Sequence, residues 1–154
     1  MAKTQSLAHL AAALRDGLQG RARLPRLLAT VLLADFFNYS IAQGGLAQLL
    51  HNARGEYLQE IGDMLTLTKA PVACRYFEQA IQLCAAASSE YQEFLAADSG
   101  RDSAIKNSLN RLSIEYFREG SGFESEAARF IEAAGKPVEA WTSELRAQSV
   151  QRQT

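Results

Sequence analysis

Apolar positions along this chain recur at intervals of three and four, and the pattern predicts helices almost throughout. Leu7, Leu10 and Leu14 form a stripe in an alanine-rich run that Gly17 and Gly20 are expected to end. Pro25 stands where a first helical position is expected. The run from 27 to 42 is apolar on nearly every side and predicts a central buried helix, which Gly44 and Gly45 end or sharply redirect. A short helix is expected over 46–51, then a turn at 52–55. A helix from Glu56 to about Leu67 follows, with Tyr57, Leu58, Ile61, Met64 and Leu65 spaced for one buried face.

Pro71 opens another helix, carried to about Ala87 by Val72, Tyr76, Phe77, Ala80 and Ile81, with Ser88-Ser89 as an interruption before Tyr91, Phe94 and Leu95. Asp98-Ser99-Gly100 is a break. Ile105, Leu109, Leu112 and Tyr116 mark a helix over 103–117. Ser125 is expected to cap a helix over 126–134 with Phe130 and Ile131 inward, Gly135 to stop it, and Pro137 to open a last helix with Trp141 and Leu145. Residues 148–154 read as a frayed tail. The fold class is therefore all-α, a single helical domain over 1–154 with about seven or eight helices and no sheet. No fixed-period repeat is visible.

Length and composition agree with that reading. A chain of 154 residues can bury one core without staples, and 47% hydrophobic with 21% charged residues is ordinary for a globular protein. The net charge of −1 announces neither a nucleic-acid binder nor a polyanion. It hides a division, however: the first 54 residues carry six basic and two acidic groups, and the remainder ten basic and fifteen acidic. Cys74 and Cys84 lie roughly 80° apart on a helix and have no histidine at zinc spacing, so they read as free buried thiols. The apolar stretch from 7 to 14 contains His9 and runs into Arg15-Asp16, which makes a poor secretory signal. Asp35 breaks the greasiest run well short of the ~20 residues a membrane span needs. A cytoplasmic protein without membrane contact is expected.

Catalytic signatures are missing from the chain: there is no GxxxxGK, HExxH, GxSxG or complete GxGxxG. His51 lies beside the Gly-Gly segment but has no identifiable partner in sequence, and His9 reads as a half-exposed helix residue. No histidine joins the carboxylates in a di-iron pattern, so no metal and no cofactor are expected. Arg15, Arg21, Arg23 and Arg26 form a basic cluster without aromatic interleaving. It reads as a solvated loop or a docking patch for an acidic neighbour, and direct nucleic-acid binding is not expected.

The carboxylates are the candidate chemistry. Glu56, Glu60 and Asp63 fall at i, i+4 and i+7, Glu115 and Glu119 form a second i, i+4 pair, and Glu124 and Glu126 follow. Like charges at that spacing cost a helix a few tenths of a kcal/mol, so helix stability does not explain them. Two readings stand. They are ordinary solvated faces, or they are rows displaced by ~6 Å along a helix axis that approximate a phosphate track repeating at about 3.4 Å per strand.

One stretch carries a resemblance. Gly44, Gly45, Gln48, Asn52 and Gly55, followed by Ile61-Gly62, match at their offsets the pattern Asn-Gly-Gly-aromatic-x-Gln-aromatic-aromatic-x-Asn-x-x-Gly with a later Ile-Gly. The chain thereby resembles the bacterial DNA-mimic proteins, an all-helical family. Gln43 stands for the family's asparagine, and Leu46, Leu49 and Leu50 for its aromatics, so apolar character is kept. The glycines are read as allowing a tight turn between packed helices, and the Gln48 and Asn52 amides as satisfying backbone groups there.

The resemblance implies a non-enzymatic homodimer that occludes the DNA-binding face of a transcription factor or other DNA-binding protein. The seven carboxylates would form the contact. An immunity protein or antitoxin that blocks a toxin's active site is the alternative, and it needs no phosphate-like spacing.

Overall fold

The computed structural model describes residues 6–18, 24–98 and 100–153. Among them the chain forms eight helices and no strand: α1 (Leu7–Leu18), α2 (Arg26–Ala53), α3 (Leu58–Leu67), α4 (Pro71–Ala86), α5 (Ser88–Ala96), α6 (Ala104–Glu119), α7 (Phe123–Glu126) and α8 (Ala128–Gln153). They pack as a compact helical bundle. α2 is its centre, touching α1, α3, α6 and α8, while α4 packs between α3 and α6. Leu28, Val31, Ala34 and Phe37 of α2 are buried at spacings of three, and the stripe Leu7, Leu10, Leu14 of α1 is fully buried. A side chain of that size contributes about 1.5–3 kcal/mol when removed from water, so this seam is a main source of stability.

Local signals start several helices. The Ser6 hydroxyl accepts the His9 N–H at the start of α1, and the Ser103 hydroxyl accepts the Lys106 N–H at the start of α6. Pro71 occupies the first turn of α4, as its missing donor favours. Asp35 is buried in the otherwise apolar part of α2, and its carboxylate takes the guanidinium of Arg15 on α1. Removing Arg15 would leave a buried charge without its partner, which is the costly way to break such a pair.

Several boundaries differ from the sequence expectation. α1 continues through Gly17 to Leu18, while Gly20, Arg21, Arg23 and Ser99 lie outside the described residues. Pro25 is the N-cap of α2 rather than its first helical residue. α3 begins at Leu58, not Glu56, because Tyr57 is left-handed with φ 61°. The interruption near Ser88 is real and falls at Ala87, whose φ/ψ of −130°/54° separates α4 from α5.

The larger correction concerns the C-terminal part. Ser125 lies inside the four-residue α7 rather than ahead of the helix it is expected to cap, Gly135 does not stop a helix, and Pro137 lies within α8, which runs to Gln153. Burial explains the continuity. Ile131, Ala134 and Val138 are buried at spacings of three and four with Trp141 half-buried beyond them, and α8 packs along α1 and α2. That unbroken apolar face outweighs the one hydrogen bond a mid-helix proline removes.

Candidate functional site

Gly44 and Gly45 fold α2 back on itself. Both leave helical geometry, Gly45 with φ 70° and ψ −157°, a region open almost only to glycine. Asn52 then reaches Ser40, its Nδ2 donating to the hydroxyl at 3.0 Å and to Gln43 Oε1 at 3.3 Å. Twelve residues of straight helix would span ~18 Å, so the 26–43 and 46–53 arms must lie side by side. Gln48 Nε2 donates to Asn52 Oδ1 at 2.8 Å and holds that amide in place. The Asn52 amide thus bonds side chains across the bend, where the arms face each other, and Gln48 bonds Asn52 within its own arm, rather than either satisfying the turn's backbone groups. The break frees the Leu46 N–H, and Ser113 of α6 accepts it at 2.8 Å while donating to the Leu109 carbonyl at 2.9 Å. This satisfies a buried donor that the helix no longer can.

The same bend presents a second turn. Arg54, Gly55 and Tyr57 all have positive φ (51°, 78° and 61°), so three of four consecutive residues are left-handed. Left-handed arginine and tyrosine are unfavourable and persist only where the surroundings enforce them. Here the Arg54 N–H donates to the Leu50 carbonyl, the Glu56 N–H to Ala53 and the Ile61 N–H to Tyr57, at 2.8–3.2 Å. The turn stands over a groove of about 630 Å³ whose floor is Ala29, Leu32, Leu33 and Phe36 of α2. Tyr57 is 58% exposed beside it, and Arg54, Glu56 and Glu60 also line it.

The seven carboxylates do not form one row. Glu56 precedes α3, so the expected three acids on one helical face reduce to Glu60 and Asp63. Those two border different grooves: Glu60 the one on α2, Asp63 a second between α3 and α4, where it accepts from Gln59 Nε2 at 3.2 Å. Glu115 is exposed on α6. Glu56, Glu60 and Glu115 have no hydrogen-bond or ion-pair partner among the described residues.

The remaining three carboxylates hold the bundle together. Glu119, at the end of α6, accepts from the Arg75 guanidinium and the Tyr76 hydroxyl of α4. The Tyr76 hydrogen bond first, and Arg75 second, hold the Glu119 carboxyl below its ordinary range. Glu124 accepts from Asn38 Nδ2 of α2 at 2.7 Å. Glu126 accepts the Val72 and Ala73 N–H groups at 2.8 and 3.0 Å, capping α4 from a distant segment. Sequence spacing could not reveal these roles, since the partners lie 43 to 86 residues away.

His51 is buried. Its Nε2 bonds the Ala97 carbonyl at 2.8 Å, and its ring meets Phe94 edge-on at 5.5 Å between centroids. It ties the end of α5 to α2. Cys74 is half-buried and Cys84 buried, both free, and burial pushes the Cys84 thiol up to about 11. Among the described residues no group of three or more metal-ligating side chains converges, and no helix is long and apolar enough to cross a membrane. Sequence reasoning missed Leu32, Leu33, Phe36 and Tyr57 as a surface. The available signal was that the 27–42 run is apolar all round, more than its neighbours can cover.

A family model described as DMP19-like protein matches residues 22–134. That span contains the glycine bend, the 54–57 turn, the groove and all seven carboxylates. No curated protein and no solved structure matches the chain.

Proposed function

Because the chain belongs to the DMP19-like family, a family of DNA mimics, we propose that it is a non-enzymatic protein-binding module that occludes the functional surface of a partner. The partner class that fits is a DNA-binding protein such as a transcription factor. The observation that carries this reading is the state of the exposed acids: Glu56, Glu60 and Glu115 have no partner among the described residues, and Asp63 is exposed with Gln59 as its hydrogen-bond donor. Unpaired surface carboxylates are available to a basic surface at little desolvation cost. Glu119, Glu124 and Glu126 act in this reading mainly by fixing α4, α6 and α7, although Glu119 and Glu124 remain exposed. Assembly as a homodimer belongs to the same proposal, and the exposed Ile114 and Phe117 of α6 support an apolar self-contact.

The test is affinity capture by the tagged protein from its native lysate, followed by challenge of the retained partner with DNA. A DNA-binding protein released by DNA, with affinity falling steeply as salt rises and with Glu56→Lys/Glu60→Lys, is the expected result. Binding that ignores salt and DNA overturns mimicry, and recovery of a toxin moves the protein to the immunity class.

A further inference from the structure

We infer that the groove between α2 and the 54–57 turn receives an amphipathic helix of a partner protein, one with an apolar ridge bordered by lysine or arginine. The inference rests on the protein-binding function above and specifies what its partner presents. The floor supplies the first argument. Ala29, Leu32, Leu33 and Phe36 repeat at helical spacing along one side of α2 over ~10 Å, which is the footprint of about two turns of a crossing helix. Leu32, Leu33 and Phe36 keep part of their surface open, so the groove offers apolar area that the described residues leave uncovered.

The rim supplies the second. Two carboxylates, Glu56 and Glu60, stand against one guanidinium, Arg54, and neither carboxylate has a partner among the described residues. A basic margin on the entering helix neutralises that excess. A second copy docked groove to groove would set the same acidic excess against itself. Tyr57 supplies the third. Its left-handed backbone sits in a hydrogen-bonded turn and its side chain lines the groove while 58% exposed, so a large aromatic surface stands at the groove's edge for a partner to bury. A row of carboxylates alone explains neither this ring nor the apolar floor.

The experiment uses the full chain, isotope-labelled for amide NMR, and three synthetic helical peptides of about five turns. One has a leucine ridge flanked by lysines, one the same ridge flanked by glutamates, and one lysines without the ridge. Only the first should shift the amides of Leu32, Leu33, Phe36, Tyr57 and Glu60. Tyr57→Ala should weaken that peptide by about ten-fold. Glu56→Gln/Glu60→Gln should weaken it several-fold and flatten its salt dependence. All three positions are exposed, and an unchanged spectrum elsewhere reports that the variants fold.

Equal binding of the lysine peptide without leucines, equal binding of the glutamate peptide, or shifts mapping to another face each overturn the inference. So do groove signals that move with protein concentration before any peptide is added, because a second copy then fills the groove. Failure here leaves the DNA-displacement result above untouched, and failure of that result leaves the peptide titration readable.

Discussion

Gly45→Ala tests whether the doubled-back shape of α2 depends on a single backbone position. At φ 70° and ψ −157° an L-residue costs about 1–3 kcal/mol before any contact is considered. The added Cβ would also sit 2.6 Å from Ser113 Oγ and 2.9 Å from Ser113 Cβ. Ser113 cannot swing away freely, since its hydroxyl both accepts the Leu46 N–H and donates to Leu109. Overpacking of that kind adds about 1–3 kcal/mol. The variant should therefore lose about 3 kcal/mol or more, with Tm down by about 6–12 °C for a chain of this length.

Urea unfolding followed by helical circular dichroism measures the first quantity and a thermal scan the second. Gly135→Ala is the matched control. It lies inside α8 with open space around its Cβ, and should stabilise by about 0.5–1 kcal/mol through helix propensity. A Gly45→Ala midpoint within about 0.5 kcal/mol of wild type would refute both the conformational and the steric argument.

The other expectations concern the acids and thiols. Glu126→Ala should cost about 1–2 kcal/mol by uncapping α4, whereas Glu115→Ala should stay within about 0.5 kcal/mol, and equal denaturation midpoints for the two would contradict the capping role. Glu119 has a folded pKa held below its unfolded value, so its contribution is present above the ordinary carboxylate range and lost as pH falls through the folded value. The stability gap between wild type and Glu119→Gln should accordingly be widest near neutral pH and close in acid, and a gap independent of pH would sink the assignment. Burial raises both thiols, Cys84 more than Cys74, so a thiol reagent should label Cys74 in the native protein and Cys84 only on unfolding. Equal labelling rates would show that α4 does not bury Cys84 as described.

The sequence by itself determined the helical class, because spacings of three and four are a local consequence of 3.6 residues per turn. It marked the bend at Gly44-Gly45 for the same reason: two glycines interrupting an apolar run concern only their own backbone. Boundaries that depend on competition between distant segments were not legible. Gly135 and Pro137 carry stop and start signals, yet α8 passes through both because its buried face on α1 and α2 outweighs them. Tyr57 looked like one more inward residue of a helix, and the left-handed turn placed it outside.

The acids show the division most clearly. Spacing made seven carboxylates look equivalent. Tertiary structure separated Glu119, Glu124 and Glu126, whose hydrogen bonds fasten α4, α6, α7 and α2, from Glu56, Glu60 and Glu115, which meet no partner among the described residues. A carboxylate's role is set by which donors come within about 3 Å, and those donors arrive from segments that only folding brings near.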